Sequence, residues 1–123
     1  MELKPMFIEV PVKDIERAVR FYGTVFGVTP EIHADDVRRT AVLNDGSTGT
    51  GFALNQTADF EPSDHGPLVY LHVSEPLDAL LARVERAGGK IVRAPESMGE
   101  GMGPYAMFAD SEGNVFAFYA DAS

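Results

Sequence analysis

The second half of the chain repeats the pattern of the first half. One constant shift along the sequence places Val12 on Val73, Asp14 on Glu75 and Gly27 on Gly88. In both halves an apolar strand is followed by an amphipathic helix and then by three short strands. The helix of such a module leaves one sheet face bare, and only a partner module can cover that face. The repeat therefore predicts an α+β fold made of two tandem βαβββ modules.

The first module is predicted over residues 5–56. Its first strand is followed by Asp14, a residue type that caps helices, and Gly27 stands where helices commonly stop. Apolar residues recur at helical spacing between these two positions. The apolar stripe is Ile15, Ala18, Val19, Tyr22, Val25 and Phe26. The predicted strands are 6–12, 28–34, 38–44 and 49–55.

The second module is predicted over residues 67–121, after a connector at 57–66 that is rich in Asp, Pro and Gly and has no periodicity. Its helix is predicted to start with Glu75 near the cap and Pro76 in the first turn. The glycines at 88–89 are expected to end it. The predicted strands are 67–73, 90–96, 103–110 and 114–120.

The composition argues against several classes of partner. Ten Lys and Arg against 19 Asp and Glu give a formal charge of -9, so the field of the molecule repels nucleic acid phosphates and anionic lipid. The chain has no Cys, which excludes disulfides, a thiolate nucleophile and a zinc-thiolate site. No stretch has the pattern of a secretory signal or the length of a membrane span. We expect a cytoplasmic protein that binds neither nucleic acid nor membrane.

Alternation along the strands predicts which side chains face away from the helices. On the first strand the β-branched residues Ile8 and Val10 suit the helix side, which turns Glu9 to the interior between the modules. The equivalent strand of the second module turns Tyr70 and His72 to the interior in the same way. A concave, mostly apolar cavity with a few polar groups is typical of a small-molecule site. The residues expected to line the cavity are Phe7, Ala53, Asn55, Leu68, Tyr70, Met107, Ala117 and Tyr119.

Glu9 and His72 are the candidate catalytic residues of this interior. A carboxylate on an apolar face is costly to bury unless it is paired or meets a ligand. Glu9 is therefore a general base, an anchor for a ligand, or a partner in a structural hydrogen bond. His72 is either a proton-transfer group or a hydrogen-bonded histidine of the core or of an interface. Tyr70 and Tyr119 are either donors to a ligand or packing residues.

Three stretches of the sequence carry a resemblance to a known family: FIEVPVKDIERAVRFYGTVFGV, RVERAGGKIV and MFADSEGNVFAFY. Together they resemble the vicinal oxygen chelate superfamily, which contains glyoxalase I, bleomycin- and fosfomycin-resistance proteins and extradiol dioxygenases. The resemblance extends over nearly the whole chain. It implies paired βαβββ modules that form an open, cup-like mixed sheet, and it implies a homodimer that completes or enlarges the site.

The resemblance also implies where a metal would bind. Metal-dependent members carry His, Gln or Glu at one inward position on each of four strands, and those positions fall here on Phe7, Ala53, Leu68 and Ala117. None of these side chains can donate a lone pair to a divalent cation. We therefore expect no metal and no cofactor at this place. A metal site rebuilt from Glu9 and His72 is the alternative.

These observations predict a metal-independent member of the superfamily that binds a small organic molecule in the cavity between its modules, as sequestering resistance proteins do. The alternative is a metal-free lyase or isomerase in which Glu9 and His72 transfer protons. A third possibility is a structural dimer without a ligand. Metal-dependent lyase or dioxygenase chemistry is not expected, because all four ligand positions are apolar.

Overall fold

Each half of the chain folds into a four-stranded mixed sheet with one α-helix in the computed structural model, which describes residues 1–122. The chain divides into two units between Pro62 and Ser63, a point inside the segment predicted as the connector. Strand, helix and three strands follow one another in both units. The predicted α+β class and the two tandem βαβββ modules are confirmed.

The first unit contains β1 (Phe7–Pro11), α1 (Ile15–Phe26), β2 (Ile32–Ala34), β3 (Arg38–Asn44) and β4 (Gly51–Thr57). Its sheet has the order β1-β4-β3-β2, in which β1 runs parallel to β4 and the other neighbours are antiparallel. β2 is shorter than the predicted strand because Pro30 has no N–H to donate to a neighbouring strand. β4 has the predicted length but begins and ends two residues later than predicted, at Gly51 and Thr57.

Both ends of α1 are fixed by the residues that the sequence indicated. The Asp14 carboxylate accepts a hydrogen bond from the backbone N–H of Arg17 at 3.1 Å. Gly27 ends the helix in the left-handed conformation with φ 71°, where a side chain would be strained. The predicted stripe omitted Phe21, which is buried. Its ring packs edge-on against Tyr22 at 5.1 Å, so the buried face of α1 is wider than the stripe.

The second unit contains β5 (Tyr70–Val73), α2 (Leu77–Arg86), β6 (Lys90–Ser97), β7 (Pro104–Ala109) and β8 (Val115–Ala120). Its sheet has the order β5-β8-β7-β6, with β5 parallel to β8. This order repeats that of the first unit. Within residues 1–122, neither α1 nor α2 is long and apolar enough to cross a membrane.

The start of α2 differs from the start of α1: Glu75 lies next to the cap as predicted, but Pro76, predicted in the first turn, is the cap residue itself. Pro76 occupies the cap position, and no side chain makes a capping hydrogen bond there. The Glu75 carboxylate instead accepts two hydrogen bonds from the Arg83 guanidinium, at 3.0 and 2.8 Å. The two modules have the same topology, but a different contact fixes the start of each helix.

Glu75→Gln is expected to lower the urea midpoint of unfolding at pH 7 and to have no effect in acid. The hydrogen bonds from Arg83 hold the pKa of Glu75 below its ordinary value. A carboxyl whose pKa is lower in the folded than in the unfolded chain stabilises the fold above the unfolded pKa, and this stabilisation is lost as the pH falls through the folded pKa. The two midpoints should therefore differ at pH 7 and converge below about pH 4. A difference between the two urea midpoints that persists at pH 2 would contradict this prediction. Glu100→Gln, which removes the same charge from an exposed loop, is the control.

The side chains of Asp110 and Asn114 stabilise the turn between β7 and β8. Asp110 Oδ1 accepts from the backbone N–H groups of Glu112 and Asn114, both at 2.9 Å, and its Oδ2 accepts from Asn114 Nδ2 at 3.1 Å. Asn114 Oδ1 in turn accepts from the backbone N–H of Ser63 at 3.2 Å. Asp110 and Asn114 are both buried. The network thus fixes the turn and attaches the first residue of the second unit to it.

Aromatic rings form the centre of the second core. The Phe108 ring stacks on Phe118 with centroids 4.4 Å apart and on Phe116 at 5.9 Å. All three rings are buried, as are four apolar residues of α2. The helical residues are Leu77, Leu80, Leu81 and Val84. This face of the second sheet is therefore the one that α2 covers.

Candidate functional site

In the first unit, two side chains of β4 identify the face of the sheet that α1 covers. The Gln56 side chain accepts a hydrogen bond from the first backbone N–H of α1 at 3.0 Å, and the Phe52 ring lies 6.3 Å from that of Tyr22. Because side chains alternate along a strand, Ala53 and Asn55 lie on the opposite face. We call it the far face of the first sheet. By register it carries Phe7, Glu9, Arg38, Thr40, Ala53 and Asn55.

The Phe7 ring lies across the backbone of Gly51, its neighbour on β4. A Cβ atom on Gly51 would lie 2.4 Å from Cδ2 of that ring. The absence of a side chain at position 51 therefore leaves room for the ring. The ring remains 42% exposed. The first of the four positions expected for metal ligands is thus filled by an apolar ring packed on bare backbone.

Glu9 is only partly buried, and it is a partner in a side-chain hydrogen bond, one of the three roles that the sequence left open. Its carboxylate accepts a hydrogen bond from Arg38 Nη1 at 3.3 Å, and both side chains are a little under half exposed. The Asp35 carboxylate accepts from the backbone N–H of Arg38 at 2.9 Å and fixes the start of β3. Two such backbone donors, those of Val37 and Arg38, hold the pKa of Asp35 below its ordinary value. The turn before β3 therefore positions Arg38 for its contact with Glu9.

Asn55 is the most unusual residue of the far face of the first sheet. Its side chain is buried, with the residue 1% exposed. The amide oxygen Oδ1 accepts a hydrogen bond from the hydroxyl of Thr40, which is opposite Asn55 on β3. The amide nitrogen Nδ2 has no hydrogen-bond partner within residues 1–122. A buried N–H group without a partner is rare and calls for an explanation.

Four ring side chains lie on one face of the second sheet. The register places Tyr70 and His72 of β5 beside Ala117 and Tyr119 of β8, and Tyr105 of β7 opposite Tyr119. The rings of Tyr70 and Tyr105 are 6.2 Å apart, and those of His72 and Tyr119 are 5.9 Å apart. We call this the far face of the second sheet. It carries Tyr70, His72, Tyr105, Met107, Ala117 and Tyr119.

His72 is an exposed residue of this face and has an acidic partner. Its Nε2 atom lies 3.0 Å from Asp121 Oδ1, and its side chain is 65% exposed. His72 is therefore not a core residue, whereas a role at an interface and a role in proton transfer both stay predictions. Leu68, predicted on the same strand, lies before β5 begins and is exposed.

The hydroxyl groups at the edge of the far face of the second sheet have partners. Tyr105 Oη donates to Glu96 at 3.3 Å, and Tyr119 Oη accepts from the backbone N–H of Gly103 at 3.0 Å. Gly103 has no room for a side chain, because a Cβ atom there would be 1.8 Å from the carbonyl oxygen of Ala120. The hydroxyls of Tyr105 and Tyr119 are thus engaged at the edge of the face, while their rings lie on it.

The residues at the four expected ligand positions do not fit a divalent metal. Phe7, Ala53, Leu68 and Ala117 have no oxygen, nitrogen or sulfur atom in their side chains. Ala53 and Ala117 are also fully buried, so their positions leave no room for a longer ligand without rearrangement. Among residues 1–122, no three His, Asp or Glu side chains come close enough together to hold an ion.

Two surface depressions, each of about 390 Å³, lie away from the predicted ligand residues. One is lined by residues of β6, of β7 and of the loop between them, including Glu96, Pro104 and Met102. The other is lined by Lys13, Thr57 and Phe60 among others. Both are wide open to solvent, and neither is bounded by the rings of Tyr70 and Tyr119. The two far faces are the better candidates, because each carries a cluster of polar or aromatic side chains on its own sheet.

The sequence model of the Glyoxalase/Bleomycin resistance protein/Dioxygenase superfamily matches residues 5–118. The chain belongs to this superfamily. A glyoxylase-like domain-containing protein of Didymella fabae is 29% identical over 116 residues, which cover 89% of this chain and 88% of that protein. The anthracycline biosynthesis protein DnrV of Streptomyces peucetius is 28% identical over 94% of this chain, and the match spans 46% of DnrV.

Solved structures of the superfamily share the fold of this chain. A glyoxalase-related enzyme from Fulvimarina pelagi superposes with a TM-score of 0.75 over 98% of this chain and 89% of that one, at 18% identity. Glyoxalase I from Zea mays superposes with a TM-score of 0.75 over 98% of this chain, at 22% identity, and the match spans 46% of the maize chain. The chain thus covers about half the length of some superfamily members.

Sequence reasoning missed two residues of the far faces, Tyr105 and Thr40. Of the adjacent Arg38 and Arg39, the sequence indicates that one faces inward, without showing which. Tyr105 alternates with Met107 along β7, so the same alternation that indicated Met107 could have found it. Arg38 and Thr40 alternate on β3, but either phase of that polar strand was possible without knowing its register.

Proposed function

We propose that this protein binds a small, planar aromatic molecule without a divalent metal, on the far face of the second sheet. The observation that carries the proposal is the set of four ring side chains around Ala117, of which Tyr70 is 44% exposed. Aromatic rings offer a flat apolar surface on which a second ring stacks favourably. Met107 adds a flexible thioether that adapts to ligands of different outline.

Two further findings support this proposal. The side chains at the expected ligand positions offer a metal no donor atoms, so binding here depends on apolar and ring contacts. Two relatives are named for anthracycline biosynthesis, DnrV and the DauV protein of Streptomyces sp. strain C5, and anthracyclines are planar ring systems. The pairing of two chains and a cytoplasmic location stay predictions from the sequence.

Fluorescence titration with an anthracycline tests the proposal. Tyr70→Ala is expected to weaken binding by about 5- to 150-fold, because it removes an exposed ring worth about 1–3 kcal/mol of stacking and apolar contact. Val92→Ala, which truncates another exposed apolar side chain of the second unit, should leave the affinity unchanged. Addition of EDTA should not alter binding. Equal affinities of Tyr70→Ala and the unaltered protein would contradict the aromatic site, and loss of binding in EDTA would contradict metal independence.

The second candidate is a metal-free lyase or isomerase in which Glu9 and His72 transfer protons. The pairing of His72 with Asp121 favours it, since a carboxylate within hydrogen-bond distance orients a histidine for proton transfer. The pairing of Glu9 with Arg38 is less favourable to this candidate, because the guanidinium competes with a substrate proton for the carboxylate. If it is correct, Glu9→Gln removes turnover of a bound substrate and leaves the affinity largely intact.

A further inference from the structure

We propose that Arg38 and Asn55 form a carboxylate-binding subsite on the far face of the first sheet, and that Glu9 occupies the subsite when no ligand is bound. The inference concerns only the first unit and is independent of the aromatic site proposed on the second. Its starting point is Asn55 Nδ2, a buried donor with no partner among the described residues.

The register of the sheet places the ion pair of Glu9 and Arg38 above this donor. Glu9 on β1 is opposite Ala53, two residues before Asn55 on β4. Arg38 on β3 is opposite Thr57, two residues after Asn55. Since β4 lies between β1 and β3, a contact that joins the two side chains must cross β4 at the level of Asn55. The ion pair thus covers the amide without hydrogen-bonding to it.

The ion pair between Glu9 and Arg38 is easily separated. A single hydrogen bond of 3.3 Å joins Glu9 and Arg38, and both side chains are nearly half exposed. Ion pairs of this kind contribute little to stability. A guanidinium has five N–H donors. Within residues 1–122 the one hydrogen bond found for the Arg38 side chain is that to Glu9, although its charge also interacts with the Asp35 carboxylate. An incoming anion therefore has donors to bind and a weak contact to replace.

A ligand carboxylate supplies the hydrogen-bond acceptor that Asn55 Nδ2 lacks among the described residues. With one oxygen it accepts from Arg38, and with the other it accepts from Asn55 Nδ2, which gains the partner it is missing. Hydrogen bonds between a guanidinium and a carboxylate are among the stronger ones in proteins. Thr40 holds the opposite end of the Asn55 amide and keeps Nδ2 turned away from β3. The subsite thus favours a small organic acid over a neutral or cationic molecule.

Nuclear magnetic resonance tests the subsite directly, because the sequence has only three Asn and one Gln. The side-chain NH2 signals of Asn55 are assigned by their loss in Asn55→Leu. The probes are propionate, 2-butanone as the neutral molecule of the same shape, and ethylammonium as the cation. Propionate is expected to shift the Asn55 signals with saturation, 2-butanone at least tenfold more weakly, and ethylammonium not at all.

Variants separate this subsite from the alternatives. Arg38→Gln and Asn55→Leu are each expected to weaken propionate binding at least tenfold, whereas Glu9→Gln should strengthen it about threefold or more because it removes the competing carboxylate. Arg38 is exposed, so Arg38→Gln tests the proposal even if Asn55→Leu changes the fold. Unmoved Asn55 signals, propionate binding unaffected by Arg38→Gln, or preferential binding of ethylammonium would each overturn it. Tyr70→Ala should leave propionate binding unchanged, so the subsite and the aromatic site can fail separately.

Discussion

Phe108→Ala is expected to lower the free energy of unfolding by about 3–5 kcal/mol, because it removes a fully buried ring and leaves a cavity. The ring is stacked between Phe116 and Phe118 and has no route to solvent. Neighbouring side chains on two adjacent strands cannot collapse into the space without distorting the sheet. Urea denaturation followed by far-ultraviolet circular dichroism measures the loss.

Phe7→Ala is the matched control, since it removes the same ring from a position that is 42% exposed. Phe7→Ala is expected to lower the free energy of unfolding by only about 1 kcal/mol. Hydrogen exchange should also accelerate in β5, β7 and β8 of Phe108→Ala. If both variants lose the same free energy, the phenylalanine stack is not the centre of the second core.

Asp110→Ala is expected to lower the free energy of unfolding by about 3 kcal/mol, because it leaves buried donors without their charged acceptor. The carboxylate accepts from the backbone N–H groups of Glu112 and Asn114 and from the Asn114 side chain. Its loss frees the turn between β7 and β8, and it also loosens the amide that holds Ser63.

Asp110→Asn tests which part of the network matters. The amide oxygen can still accept from both backbone N–H groups, but its NH2 group then faces that of Asn114, so the expected loss is about half as large. Asp36→Ala, in an exposed turn, should change the stability by less than about 0.5 kcal/mol. An Asp110→Ala protein as stable as Asp36→Ala would show that the turn does not depend on its acid.

The fold was predictable because its signals are local and occur twice. The cap at Asp14, the glycine stop at Gly27 and the apolar stripes are all read within one or two helical turns. At the start of α2 the pattern placed Glu75 near the cap, as observed, but it placed Pro76 in the first turn, whereas Pro76 is the cap residue. The Glu75 carboxylate pairs with Arg83, eight residues further along the chain. The apolar stripe and the cap signals of the sequence do not indicate such side-chain contacts.

The candidate site was less predictable, since it depends on which residues of different strands are neighbours. Alternation indicates that Glu9 and Asn55 share a face, but only the register shows that Arg38 reaches across β4 to Glu9. The unsatisfied donor of Asn55 is also invisible in the sequence. Any of several polar neighbours could have accepted its hydrogen bond.

The contact between Phe7 and Gly51 constrains how this sequence can evolve. A side chain acquired at position 51 while Phe7 is present would collide with the ring. A smaller residue acquired first at position 7 would leave a bare strip of backbone on β4. The effect of a change at one position therefore depends on the residue at the other, which makes them an epistatic pair. A metal ligand could return to position 7 with little cost only in a lineage that also changes position 51.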